Sequence, residues 1–334
     1  MKKIFINELE EHIGEQIVSV FYVASLTRNI NKQGTSWTDI QLVDKTGRKR
    51  AKMWSEFDTD AARACNEAYV TCKGTVDIYN GIVGLAITEM SPADPSEYVI
   101  TDFAPSISEK ERDSALDTLA HFIERVEHPG MRNLLKHCFN ERVLEQFCTL
   151  PAGIMMHHAY NGALLIHTME VVNLAVSAAE VQNKYRASYS IPVNMDLVIA
   201  GALLHDYGKI MEYKPFPVST RTLYGKMIGH VHAGAILVSS YGSLLKGNER
   251  FDMTELLHII LSSHGEEGGM EPMTQEAMIV HNADMQSAGM DGFSTAFRLE
   301  DEKHPGMQNQ FAFSKFTDSS IYRRKEEISG GNSL

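Results

Sequence analysis

Cysteine is scarce in this chain and shows no pattern. Cys65, Cys72, Cys138 and Cys148 are spread over 334 residues without a C-x-x-C spacing. A disulfide framework is therefore not expected, and a reducing cytoplasm is the simplest compartment. Positive charge is also in deficit, with 31 Lys and Arg against 43 Asp and Glu and a net charge of −12. That excludes a large non-specific nucleic-acid surface, but leaves room for a local basic groove and suits a protein that gathers divalent cations. No apolar run approaches the ~20 residues that span a bilayer, so no membrane partner is expected. The opening Met-Lys-Lys-Ile-Phe-Ile-Asn-Glu turns acidic before any secretory apolar core forms. Internal repeats and long low-complexity segments are missing as well.

What is present is an ordinary globular composition, 43% hydrophobic and 22% charged, long enough for roughly two domains. Residues 1–100 read as strands. Gln16–Leu26 is rich in β-branched and aromatic residues. Trp37–Val43 leads through the turn Asp44-Lys-Thr-Gly47 into Arg48–Trp54. Ser55–Glu67 looks helical, and Tyr69–Tyr79 and Ile82–Met90 form a hairpin about Asn80-Gly81. Three strands, a helix and two strands give the order of an all-β OB-fold barrel. Trp37, Trp54 and Tyr79 could stack on bases, with Arg48, Arg50 and Lys52 at the backbone of a single strand. The same aromatics could instead close the barrel core. The segment as a whole is not basic, with 11 Lys and Arg against 15 Asp and Glu over residues 1–102.

After the break at Ser91-Pro-Ala-Asp-Pro-Ser the pattern turns all-α. Ser106 or Ser108 can cap a helix to about Val126, Pro129 opens another, and Met131–Cys138 and Arg142–Cys148 follow. A helical domain over 105–300 is expected, followed by a loose, partly disordered extension over 301–334 whose Arg323-Arg-Lys is as readily solvated as bound.

Fourteen histidines are many, and their placement matters more than their number. Within Ala163–Lys184, His167 shares its face with Leu164, Val171, Leu174 and Ala175. The apolar run Val198–Leu204 ends abruptly in His205-Asp206-Tyr-Gly208-Lys209, with Gly208 read as the helix stop. Gly229-His230 opens a helix to about Leu245, and Leu256–Ser262 delivers His264 at its end. Thr274–Met290 places Ala277, Val280, His281 and Asp284 on one stripe. His232 and His258 fall on other faces. Each residue alone is as consistent with a hydrogen-bonded core position. Together His167, His205, Asp206, His230, His264 and Asp284 have the nitrogen and oxygen character of a Mn, Fe, Co or Zn site. A carboxylate between two histidine groups can bridge two ions roughly 3.5–4 Å apart, an arrangement suited to phosphodiester hydrolysis.

At these residues the chain resembles the HD superfamily of metal-dependent phosphohydrolases. Asn161-Gly-Ala-Leu-Leu-Ile-His167-Thr, Gly201-Ala-Leu-Leu-His205-Asp-Tyr-Gly-Lys209, Gly229-His230-Val and Ser263-His264-Gly265 are similar to the YhaM-type 3′→5′ exoribonucleases. The resemblance covers about residues 10–290 and implies an OB-fold ahead of an HD bundle. By it, His167, His205, Asp206 and Asp284 hold one metal, Asp206 bridges, and His230 and His264 serve a second. Manganese is the first choice, with cobalt, iron, nickel or magnesium as alternatives. Lys209 would neutralise a phosphate oxygen, and His157 or His158 would contact the scissile phosphate or protonate the leaving group. The substrate implied is the 3′ end of single-stranded RNA, or of single-stranded DNA, cut to nucleoside monophosphates. A homo-oligomer is compatible with it. Ser263 departs from the pair of histidines usual in the family, which puts the second metal in question. Two other readings compete: an HD phosphohydrolase of small nucleotides or cyclic dinucleotides, and a non-catalytic OB-type nucleic-acid-binding protein.

Overall fold

A computed structural model describes residues 3–30, 36–54, 59–79, 81–104, 106–153, 160–186, 191–215, 217, 220–304 and 309–324. It divides into two compact units, residues 1–106 with 215–219 and residues 107–214 with 220–334.

The first unit is a closed five-stranded barrel. Strands β1 (Gln16–Ile30), β2 (Ser36–Asp44), β3 (Gly47–Met53), β4 (Ala68–Tyr79) and β5 (Ile82–Pro92) close in the order β1-β2-β3-β5-β4. All neighbours are antiparallel except β3 and β5. Helix α1 (Thr59–Cys65) lies between β3 and β4, so the strand order read as OB-type is the order of this barrel. β1 runs past the expected Leu26 to Ile30 because it pairs with β4 along one half and β2 along the other. A bulge between Val23 and Ser25 bends it between the two partners. Alternation fills the barrel: Ile40 and Leu42 of β2, Ala51 and Met53 of β3, and Val70, Cys72 and Val76 of β4 are buried. Asp44, at the β2–β3 turn, is buried too, and its carboxylate accepts from the Ile6 and Thr46 amides at 2.8 Å each.

The second unit is helical. Its helices are α2 (Glu109–Arg125), α3 (Pro129–Cys138), α4 (Glu141–Phe147), α5 (Ala163–Arg186), α6 (Met195–Leu204), α7 (Lys209–Glu212), α8 (Leu223–Ile228), α9 (His230–Gly242), α10 (Thr254–Ser262), α11 (Gly265–Gly268) and α12 (Gln275–Lys303). α5, α6, α10 and α12 pack around one core. α5 is long and apolar enough in composition to cross a membrane, but Leu164, Leu165, Val171, Val172, Ala175 and Val176 are spent on that core and it carries His167 inward. α6 has no polar face, and every residue from Leu197 to Leu204 is buried. Gly201 lets it approach α10, where a Cβ would stand 2.5 Å from the Ile259 side chain.

The carboxyl-terminal segment differs from expectation. α12 continues thirteen residues beyond Met290, through the expected boundary near 300, to Lys303. Strands β6 (Phe311–Ser314) and β7 (Ser319–Tyr322) then form a hairpin in the segment expected to be loose. The hairpin buries Ala312 and Ile321 against Ala296, Phe293 and Phe297. Arg323, of the triplet read as solvated or bound alike, grips Asp301 with both Nη groups at 2.8 Å. Short-range pattern could not reveal this, because the partners lie on different elements.

Ser108, not Ser106, caps α2. Its hydroxyl accepts from the Glu111 amide at 3.2 Å, and Glu111 accepts from the Ser108 amide at 2.7 Å. Ser108→Ala is expected to cost about 1 kcal/mol, seen as a lower urea midpoint for the helical unit. An unchanged midpoint would show that the cap contributes nothing.

Candidate metal centre

The apolar helix α6 terminates in the chemistry. Beyond Leu204 the chain carries His205, Asp206 and Tyr207 in a tight turn, all buried. Tyr207 anchors the turn: its hydroxyl donates to the Cys138 carbonyl at 2.9 Å and its ring meets Phe139 and Phe147. Gly208 is not a left-handed helix stop, since its φ of −68° and ψ of −9° are right-handed. Its absent side chain serves proximity instead. A Cβ there would lie 1.9 Å from the His230 carbonyl oxygen and 2.4 Å from the Gly234 nitrogen. Glycine at 208 thus lets the start of α9 bring His230 up to Asp206.

Four imidazoles converge on that carboxylate, and each has its Nδ1 held by an acceptor. His205 Nδ1 donates to the Ala202 carbonyl at 2.7 Å. His264 Nδ1 faces Asp284 Oδ2 at 2.9 Å, and His230 Nδ1 meets Glu212 Oε2. His167 Nδ1 bonds the Ser287 hydroxyl at 2.9 Å, and that hydroxyl donates onward to Glu170 at 2.6 Å. A carbonyl or carboxylate can only accept, and Ser287 has spent its own proton. All four rings therefore carry hydrogen on Nδ1 and turn Nε2 inward. The Nε2 atoms meet in pairs, His167 with His205 at 3.2 Å and His230 with His264 at 2.8 Å.

Asp206 lies between the pairs. Its Oδ2 is 3.3 Å from His167 Nε2 and 3.4 Å from His205 Nε2, while Oδ1 is 3.5 Å from His230 Nε2 and 3.8 Å from His264 Nε2. Asp284 Oδ1 joins the first pair, 3.1 Å from His167 Nε2. Two trios result, His167–His205–Asp284 and Asp206–His230–His264, each with donor atoms within 4.8 Å of one another. Two donors that share an ion at about 2.0–2.2 Å stand roughly 3 Å apart. The imidazole spacings fit that edge.

The charges need a cation. Asp206 and Asp284 are buried, and neither oxygen of Asp206 receives an aligned hydrogen bond. Lys209 forms an ion pair with Asp206, Nζ 2.5 Å from Oδ2. One buried ammonium cannot balance two buried carboxylates, and an uncompensated buried charge costs several kcal/mol. Without a metal a proton must serve. Burial pushes the His167 imidazole down, but Asp206 and Asp284 outweigh it and hold it up at about 9. Burial opposes protonation of His264 too, and the Asp284 bond wins. At His230 burial prevails over Glu212 and the pKa falls. Asp206 and Asp284 stay well below the usual carboxylate range: burial opposes this, but Lys209 and His205 outweigh it at Asp206, and the bonds to His167 and His264 do so at Asp284.

All six residues expected as metal ligands are thus brought together. Lys209 is not a solvated helix-end lysine. It is buried against Asp206, a position that suits an internal counter-ion better than contact with an incoming phosphate. His157 and His158 lie outside the described residues. His232 is exposed, and His258 accepts from the Met273 amide at 2.8 Å, away from the cluster. Ser263 is fully buried and donates to the Ile260 carbonyl at 3.0 Å, so position 263 faces its own helix. Glu212, Ser287 and Glu170 escaped sequence reading. Glu212 is buried three residues past Lys209, and nothing in its neighbours marks it as the partner of His230.

On the barrel, the outer face of β3 carries Arg48, Arg50 and Lys52 in alternation, and Trp54 follows it. Trp37 of β2 lies beside Trp54, ring centres 5.8 Å apart, and Lys52 Nζ is 5.7 Å from the Trp54 ring. With Asp39 they line a cavity of ≈ 320 Å³. Trp37 Nε1 is buried there without a hydrogen-bond acceptor among the described residues. Neither tryptophan belongs to the barrel core. Tyr79 ends β4 opposite Ile82, and its side chain lies outside the described set.

Residues 164–289, from α5 into α12, match the HD domain family. Most of the chain is similar to curated relatives bearing one name. The 3′-5′ exoribonuclease YhaM of Bacillus subtilis (strain 168) is 29% identical over 320 residues, 93% of this chain and 96% of that protein. The namesake in Bacillus velezensis is 29% identical over 286 residues, 83% and 86% of the two chains. That of Geobacillus sp. (strain WCH70) is 28% identical over 285 residues, 84% of each.

Gly208→Ala must push α7 from α9 by more than an ångström. The expected outcome is a folded protein whose thermal midpoint no longer rises with added Mn²⁺, although every donor residue is retained. A wild-type shift on Mn²⁺ addition would show that the close approach is not needed.

Proposed function

We propose that this chain, an HD-domain homologue of the YhaM exoribonucleases, is a metal-dependent 3′→5′ exonuclease that hydrolyses RNA. The observation that carries the reading is the pair of imidazole Nε2 couples facing opposite oxygens of one buried carboxylate. Divalent cations held there would acidify water and neutralise charge on phosphate oxygens, as phosphodiester hydrolysis needs. Two ions, manganese first, are the occupancy proposed for two trios of nitrogen and oxygen donors.

Each residue then has a task. His167, His205 and Asp284 are buried, closed to solvent and suited to a permanently held ion. His230 and His264 are partly exposed, with side chains 18% and 26% accessible, and suit an ion that meets substrate. Asp206 bridges. Lys209 keeps Asp206 ionised, and the hydrogen bonds at each Nδ1 fix the rings so that ion and phosphate arrive in a formed site. Ser263 turns back onto its own helix, and the second trio, Asp206, His230 and His264, is formed without it, which supports the catalytic reading.

The barrel would guide the strand. Trp37 and Trp54 offer rings to bases while Arg48, Arg50 and Lys52 meet phosphates, a sequence-tolerant mode. Because this chemistry reads stacking and phosphate, single-stranded DNA is proposed as a second substrate. Attack from the 3′ end is proposed by likeness to relatives named 3′-5′ exoribonuclease, with nucleoside monophosphates as the product that stepwise hydrolysis would release.

With Mn²⁺, purified protein should shorten a 5′-labelled RNA oligomer stepwise, and Asp206→Ala should lower the rate by at least about a thousandfold. Wild type and Asp206→Ala giving the same pattern would sink the reading. For the barrel, Trp54→Ala is expected to weaken binding of a single-stranded oligomer by about 1–3 kcal/mol, read by fluorescence anisotropy. Unaltered affinity would return the tryptophans to a structural role.

A further inference from the structure

A phosphodiester bound at this centre needs a cation that can reach it, and Lys209 is committed to Asp206 with its side chain 7% accessible. The geometry points to Arg221: we propose that its guanidinium clamps a phosphate of the bound RNA strand beside the open trio. The proposal rests on the exonuclease reading.

The open side of the centre fixes the direction of approach. His167 and His205 have side chains 3% and 0% accessible, against 18% and 26% for His230 and His264. Substrate therefore arrives on the His230–His264 side. Glu212 hangs from that side, with one carboxylate oxygen on His230 Nδ1 and the other in an ion pair with Arg221, 2.8 Å from its Nε. Arg221 is thus one carboxylate away from a metal-ligand imidazole, yet its side chain is 53% accessible. Glu212 approaches the guanidinium at Nε, and the planar Nη edge of the five-donor fork is the part that matches phosphate.

The guanidinium is also held in place before any ligand arrives. Tyr213 and Arg221 pair as an antiparallel bridge. Lys214 donates to the Thr220 carbonyl at 3.0 Å, and Thr222 donates to the Glu212 carbonyl at 2.8 Å. The Thr222 hydroxyl adds a bond to the Met211 carbonyl at 2.7 Å and caps α8 through the Gly225 amide at 2.9 Å. A surface arginine meant only for solvent needs none of this. Just beyond it, Leu223 and Met227 are 78% and 76% exposed, an apolar surface of the kind a nucleoside covers when its phosphate is gripped nearby.

An arginine that merely neutralised Glu212 would act through His230 and the ion. An arginine that holds phosphate acts on substrate. Full-length wild type, Arg221→Gln and Arg221→Lys are compared with Mn²⁺ and RNA oligomers, one series carrying a neutral methylphosphonate at single linkages near the 3′ end. Arg221→Gln should raise KM about tenfold or more with kcat changed far less. Mn²⁺ affinity should stay within about twofold, with Arg221→Lys intermediate. One methylphosphonate position should raise KM for wild type and leave Arg221→Gln unaffected. An unchanged KM, a shift in Mn²⁺ affinity that accounts for the loss, or equal methylphosphonate penalties in both proteins overturns the clamp while leaving the exonuclease standing. Wild type that shortens no RNA overturns both.

Discussion

One buried carboxylate sets the terms for the helical unit. Asp206 stands at the end of an apolar helix with both oxygens shielded from water and without aligned hydrogen bonds. Ionising it there is costly, and the fold offsets the cost by surrounding it with Lys209 and four imidazoles. Much of the architecture serves this single arrangement. α5 presents His167, the junction before α9 presents His230, α10 ends on His264, and α12 places Asp284 on its buried face. Gly208 removes the bulk that would keep α7 from α9.

The two trios are not equivalent, and the difference lies in what holds each Nδ1. In the closed trio the acceptors are a backbone carbonyl and a serine hydroxyl. In the open trio both are carboxylates, Glu212 and Asp284. A carboxylate behind an imidazole makes the ring a stronger donor and fixes it more firmly. The more exposed rings thus receive the stronger supports, where mobility would otherwise be greatest. Asp284 links the trios, since one oxygen faces the closed pair and the other orients His264.

The parts of this arrangement legible in the sequence were those with local signatures. The barrel order followed from strand lengths and the turns at Asp44–Gly47 and at Gly81. The six donors followed from His and Asp at inward positions of otherwise apolar helices, where polar residues demand a partner. What stayed hidden depends on long-range contact. Glu212 looks like any acidic residue after a helix turn until His230 and Arg221 are seen on either side of it. Gly208 reads as a helix stop, and only the backbone of α9 shows why no Cβ fits. The hairpin β6–β7 reads as tail because its two four-residue strands are held by Ala296, Phe293, Phe297 and Asp301, all on α12.

The net charge of −12 is the least direct of the sequence signals, and the structure shows why. A sum over residues treats Asp206, Asp284 and Glu212 as surface anions that would repel RNA. All three are buried and spent on imidazoles and cations. Charge that a polyanion meets depends on what is left at each accessible place, and some places hold cations: Arg48 and Arg50 on the outer face of β3, and Arg221 on the open side of the histidine cluster. A negative total and local clusters of accessible cations are therefore compatible.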